Sequence, residues 1–546
     1  MNNCERDLHR RCRSAYDCHL LPYDIPITLL DPEDSSKVVQ ETLETLAPYE
    51  VFAALFQAGP QFGHALLGRH RNAGGFWRQV AASGIEHHVN DDMNFAPHRD
   101  FIIPTYWHSD GGDVYKDTEY SIYSWTSSLV HDVDTLDSKF LVCLVEQSRK
   151  VPGVTDAELV RFIAWNLRVM GSGLHPSRDH LDQPMTGKRA GLSNKPLAAG
   201  WRAAFYGWQG DTKEKVKVHG FSRNWMSNFI CEFCLGCRHL SEGNAYDFAE
   251  GSMWQRYLIS HDQYMLATHP AAQSPWTQVQ SWRIDRNLDD LLHMIYLGFG
   301  KDVAAQLIFE SACEFESVQE GLVMLTKECR KFYKDRKISF NTKVFTMSML
   351  SLSTHADMPT LETKMKGAQT KMIFLWISHR VVAHYHDGKV TGTHAAMRAE
   401  MAWCLSNVIH IFDEGEEFLT IEQADEVYDS GFKFLRLWSH MASAALAMGI
   451  TAYKVCIHKR SLHRCQNCHP PPTTPTHRCV HSLAMCIKYV CCCVSHVTCH
   501  AFSPPVPPRR SDRSCITSAT CCCTPGKPGR IHAVGICSAA RIMWAR

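Results

Sequence analysis

Nowhere does this 546-residue chain hold the ~18 consecutive apolar residues that a membrane-crossing helix needs, since Lys488 and His496 interrupt the best stretch. The opening segment Met1-Asn2-Asn3-Cys4-Glu5-Arg6-Asp7 lacks the apolar run of a secretory signal. The protein is therefore expected to be neither transmembrane nor secreted, but nuclear or cytoplasmic with reduced thiols. No repeat of fixed period is present, which argues against a solenoid or propeller. Acid is nearly missing from one segment: residues 456–546 hold 12 Lys/Arg against Asp512 alone, whereas 1–455 hold 45 basic and 55 acidic residues. The net charge of +1 thus conceals a body near −10 and a tail near +11. A body of that sign argues against a broad, non-specific DNA-binding surface.

The same tail carries 14 of the 24 cysteines and ten prolines without helical or strand periodicity. Such a composition does not readily build a packed core, so 456–546 is expected to be disordered or an aberrant translated sequence. Cys465, Cys468, His469, Cys479 and His481 leave open a Cys/His metal tract. The remainder is rich in apolar side chains, and its length suits two to four domains.

Residues 1–30 read as a loose leader. Within 31–99, Val38, Leu43, Leu46, Phe52, Leu55 and Phe56 suit short amphipathic helices broken at Pro48 and Pro60, giving a helical N-terminal region. From residue 100 the pattern changes to three strands, Phe101–Trp107, Tyr120–Trp125 and Phe140–Val145. A helix follows at Asp156–Val169, with Thr155 or Asp156 as its cap. Strands followed by a helix predict an α/β (or α+β) core over 100–314. The stretch 171–215 reads as an exposed excursion, 220–260 as a cysteine-containing insertion, and 286–312 as one helix. From 315 to 455, Met- and Ala-rich faces predict a large all-α insertion.

Two acids stand out. Asp110 ends the apolar run Phe101–Ser109 and precedes Gly111-Gly112, where backbone can approach a ligand closely; a hairpin turn explains the same pattern, and Asp113 is an alternative ligand. Asp290 and His293, three apart, project from one helical face and suit a hard cation with a partner, although Asp289 and Asp290 also suit a helix N-terminus. Cys231, Cys234, Cys237 and His239 present a C-x2-C spacing able to chelate Zn2+, with His219, His261 or His269 as further ligands. Lys213–Trp225 interleaves bases and aromatics as a nucleic-acid face does, or as a solvated hairpin edge does.

Taken together, Ser109-Asp110-Gly111-Gly112, the strand Tyr120–Trp125 and the block Asp290-Leu291-Leu292-His293 through Leu297-Gly298 resemble eukaryotic DDE transposases. The similar groups are the CACTA, Kyakuja–Dileera–Zisupton and Plavaka types and transposon-derived proteins of protist genomes. The resemblance covers about residues 100–310. It implies a ribonuclease H-like fold, DNA as partner, Asp110 and Asp290 as catalytic metal ligands, and strand cleavage and transfer with two Mg2+ or Mn2+ ions. A homo-oligomer is compatible with it. A third acid is expected beyond a helical insertion, yet Glu400, Glu414, Glu416, Glu417 and Glu422 stand in no recognisable context, so an inactive site is expected. The alternative is a non-enzymatic, zinc-containing DNA- or protein-binding factor.

Overall fold

A computed structural model describes residues between Leu20 and Tyr453, apart from 21, 69–71, 116–117, 131–132, 134, 224–226, 238–246, 250, 341, 353–357, 416–417 and 449–452, and apart from the side chains of 61, 113–115, 135–136 and 271. The expectations for residues 1–19, for His239 and for the tail 456–546 lie outside the described residues.

The first elements are strands. In β1, Tyr23–Leu30, the residues Tyr23, Ile25, Ile27 and Leu29 are buried while Asp24 and Pro26 face out, the two-residue period of a half-buried strand. It pairs antiparallel with β2, Val38–Thr45, so Val38 and Leu43 belong to a strand and not to the expected helix. Val38, Val39, Thr42 and Thr45 carry β-branched side chains that fit a pleated ribbon better than a helix. Helix α1, Pro48–Gln57, and helix α2, Ala73–Ala82, follow.

A five-stranded mixed sheet forms the centre. Its strands are β3, Ile102–Tyr115; β4, Thr118–Ser127; β5, Lys139–Glu146; β6, Arg202–Gly210; and β7, Asn287–Asp289. They lie in the order β5-β4-β3-β6-β7, with β3, β4 and β5 antiparallel neighbours and β6 and β7 added in parallel. Three antiparallel strands extended by two parallel ones make up this mixed α/β core. Gly111 and Gly112 do not turn the chain, as they pair with Ser121 and Tyr120 inside the long β3–β4 hairpin. A Cβ at Gly111 would lie 2.7 Å from Glu119 Oε1, the far end of an exposed side chain that can move aside.

Helix α3, Thr155–Ser172, connects β5 to β6 and packs on the sheet and on α1. Its first turn is anchored by a buried group: Lys150 Nζ lies 2.6 Å from Asp156 Oδ1, both side chains are under a tenth exposed, and the Tyr123 hydroxyl donates to the same carboxylate. Two expected outlines change downstream. The segment 171–215, expected to be an exposed excursion, contains β6, in which Ala203, Ala204, Phe205 and Trp208 are buried. The single helix expected over 286–312 is divided into β7, a π-wound turn at Leu292–Phe299 and a helix at Gly300–Ala312, with Gly298 adopting non-helical backbone at the junction.

The expected all-α region is present as Val318–Asp335, Gly367–His386, Thr393–Glu414 and Ile421–Ala447. It shares one continuous buried apolar cluster with the sheet. No helix among the described residues is long and apolar enough to cross a membrane.

Removing one partner from a buried ion pair strands the other charge, which costs about 3–5 kcal/mol. Asp156→Ala is therefore expected to lower unfolding free energy by about that amount in urea titrations, whereas Asp100→Ala, whose pair with Arg78 is exposed, should change it by less than about 1 kcal/mol.

Candidate metal centre

The register of the parallel strands decides where the acids fall. His108 of β3 pairs with Gln209 of β6, so two residues further on Asp110 stands opposite Asp211. Gly210 pairs with Asp289 of β7, so one residue further on Asp211 stands opposite Asp290. Three adjacent strands thus carry an acid at one level, inside β3 and just past the ends of β6 and β7. The side chains meet accordingly: among the described residues, Asp110, Asp211 and His293 form the single group of three or more potential ligands whose donor atoms all lie within 4.8 Å of one another.

Each member is held by its local backbone. Asp211 caps helix α4, Thr212–His219, its Oδ1 accepting the Glu214 N–H at 2.5 Å, which leaves Oδ2 for the cluster. Asp290 Oδ1 accepts the Leu292 N–H at 2.8 Å, and its Oδ2 lies 2.6 Å from His293 Nδ1. Asp290 therefore reaches the group through His293, fixing the ring so that Nε2 is the nitrogen left for a ligand. Helix α4 is pinned on two sides: Ser109 donates to Glu214 Oε1 at 2.7 Å, and the buried Lys215 binds Asp289 and, at 3.3 Å, Glu232.

The electrostatics are those of acids and an imidazole held together in a partly buried site. Burial raises the Asp110 carboxyl to about 6, and the charges of Asp211 and Asp290 act in the same direction, against His293 and Lys139. Burial disfavours the His293 cation, but the Asp290 hydrogen bond and the surrounding carboxylates outweigh it and raise His293 to about 9. Two carboxylates and an imidazole in one partly buried group are a donor set that could hold a divalent cation.

The remaining candidates are placed as follows. Cys231, Cys234 and Cys237 are all buried. Cys231 Sγ accepts the Phe233 N–H at 3.3 Å and Cys234 Sγ the Gly236 N–H at 3.4 Å, but the three thiols do not converge as a ligand group. His219 belongs elsewhere: it is buried among Trp208, Phe221, Trp276 and Trp282, with Nδ1 on Ser274 Oγ at 2.9 Å. Lys213–Trp225 is not a hairpin edge. It opens with α4, in which Lys215 is buried while Lys213 and Lys217 pair with Glu119. Glu400 pairs with Lys433, and Glu422 lies in the first turn of Ile421–Ala447. No family model matches the chain, and no curated protein matches it.

Asp211 is the residue that sequence reasoning missed. Its signal has the same form as that of Asp110: the buried-strand run Ala203-Ala204-Phe205-Tyr206-Gly207-Trp208-Gln209-Gly210 delivers an acid just as Phe101–Ser109 does.

Because folding raises the Asp110 carboxyl, the charged form is disfavoured in the native state, and wild-type stability is depleted as pH rises through about 6. Asp110→Asn should stabilise the metal-free protein at pH 7 by about 1–2 kcal/mol, and the gain should vanish below about pH 4, where both states are protonated. Urea unfolding at the two pH values checks the sign. Mn2+ titration should show the same variant losing its cation affinity.

Proposed function

We propose that this protein is a DDE transposase-like enzyme acting on phosphodiester bonds of DNA, with Asp110, Asp211 and His293 holding a divalent cation. The observation that carries the reading is the convergence of these three side chains, Asp110 from within β3, Asp211 just past β6 and His293 from the turn after β7, on one five-stranded mixed sheet. The expectation of an inactive site rested on the want of a third acid. Asp211 supplies an acid within the sheet itself, before Asp290 in the chain and not beyond the helical region.

When bound, the cation supplies Lewis-acid activation of the attacking hydroxyl and stabilisation of the leaving oxygen. The chain's own residues supply orientation. Asp110 is ionised above about pH 6 and so presents a charged oxygen at neutral pH. Asp211 is locked at the N-terminus of α4, and Asp290 orients the His293 ring, whose Nε2 proton a bound cation would displace.

The test is nicking of supercoiled DNA by the full chain in Mn2+ or Mg2+ against EDTA. Asp110→Ala and Asp211→Ala should fall to background, while Asp290→Asn, acting through His293, should fall about 10–100-fold. Nicking unaffected by all three changes would remove the assignment.

A structural zinc in the 220–260 segment is a second proposal, favoured by the two N–H···S hydrogen bonds at Cys231 and Cys234, which suit thiolate ligands. The purified protein should then contain about one zinc per chain, and Cys231→Ser with Cys234→Ser should remove it. A zinc-free, fully folded wild-type protein would dismiss it.

A further inference from the structure

Among the described residues, one basic residue facing the carboxylates has no carboxylate of its own. Lys139 opens β5 opposite Thr126 of β4, which in turn lies opposite Tyr106 of β3. Directly paired residues share a face, and Tyr106, His108 and Asp110 alternate onto one face of β3, so Lys139 stands on the side of the sheet that carries the acid group. It is partly buried, and the charges acting on it are those of Asp110 and Asp290. No hydrogen bond or ion pair fixes its ammonium among the described residues. Lys150, Lys215 and Lys371, by contrast, each contact a carboxylate directly.

Beside it the sheet leaves polar atoms unsatisfied. Ser124, His108 and Gln209 form one row across β4, β3 and β6, and Ser124 Oγ, His108 Nδ1 and Gln209 Nε2 are buried without a hydrogen-bond partner. His108 is 8% exposed, and its ring is close enough to feel both Lys139 and His293. Buried polar atoms are nearly always paired, so such a row beside an acid group marks where a ligand or ordered water supplies the missing atoms.

We propose that Lys139 is a substrate-contacting residue, its ammonium binding a non-bridging oxygen of the phosphodiester seated at Asp110, Asp211 and His293. The three-ligand group provides one cation position, and Lys139 provides a second positive charge from the opposite edge of the same face. Charge developing on the phosphoryl oxygens would be met from both sides. Neutralisation of Asp110 alone does not require this placement, because a direct ion pair would do that better.

The proposal rests on the phosphodiester reading, and its test separates the two. Lys139→Met and Lys139→Arg are compared with wild type in full-length protein by single-turnover nicking at saturating Mn2+, by Mn2+ affinity, and by the 31P relaxation that bound Mn2+ imposes on inorganic phosphate. Lys139→Met should lower the single-turnover nicking rate about 100-fold and should abolish the phosphate relaxation. Mn2+ affinity should be undiminished, since a repelling neighbour has been removed. Lys139→Arg should recover a substantial part of the rate. Nicking within twofold of wild type, or loss of Mn2+ binding together with phosphate, would overturn the proposal. If wild type does not nick DNA but phosphate relaxation still depends on Lys139, the DNA reading falls and the anion contact stands.

Discussion

Repulsion between the carboxylates that β3 and β6 bring side by side is the constraint that the candidate centre has to meet. Two unit charges 4.8 Å apart repel by roughly 3 kcal/mol at an effective dielectric of about 20. A single backbone hydrogen bond to a carboxylate contributes about 1.5–3 kcal/mol, so the caps at Asp211 and Asp290 only just offset one such contact. The balance comes from cations. His293 retains its proton to about pH 9, and Lys139 adds a charge from β5. Even so, burial in the site, with the neighbouring carboxylates adding to it, leaves Asp110 well above the usual carboxylate range.

The position of Asp211 shows how strongly the surrounding structure enforces this arrangement. An acid at a helix N-cap is ordinary, and α4 by itself would accept it anywhere. Here the helix is fastened to β3 by Ser109 and Glu214 and to β7 by Lys215 and Asp289, so the cap residue is delivered between those two strands. Relaxation of α4 would relieve the repulsion. The paired side chains that prevent it are buried, and freeing them would strand charges in the core.

The extent to which the sequence disclosed this depends on where each signal resides. The strands β3, β4 and β5 are visible because aromatic and β-branched residues cluster in them, and α3 because its apolar positions recur at helical spacing. Asp110 is legible for the same reason. Asp211 was hidden by composition: Gly207 and Gly210 lie in an apolar run that follows a long Gly/Pro/Lys-rich stretch, so the strand resembles a continuation of the loop. Pairing was illegible as well. That β6 lies beside β3, nearly a hundred residues distant, is a property of register, and only register sets Asp110 opposite Asp211. The short β7 and the π-wound turn after it are likewise concealed, because the apolar residues Leu288–Phe299 fit a regular helix until tertiary packing imposes a strand before them and Gly298 breaks the run after them.

A chain of contacts also connects the cysteine segment to the acid group. Glu232 adjoins Cys231 and binds Lys215, which lies over the Phe233 ring and binds Asp289, the residue before Asp290. Arg223 closes the other side, donating to the carbonyl oxygens of Cys231 and Cys234. Lys215 cannot satisfy both carboxylates unless the Cys231–Cys237 turn holds Glu232 in place. If that turn shifted, Asp289 would keep the lysine but lose its geometry, and with it the strand end that presents Asp290 to His293. The turn is therefore mechanically part of the acid group although none of its thiols joins it, and a shift of the turn would reach Asp290 by way of Glu232, Lys215 and Asp289.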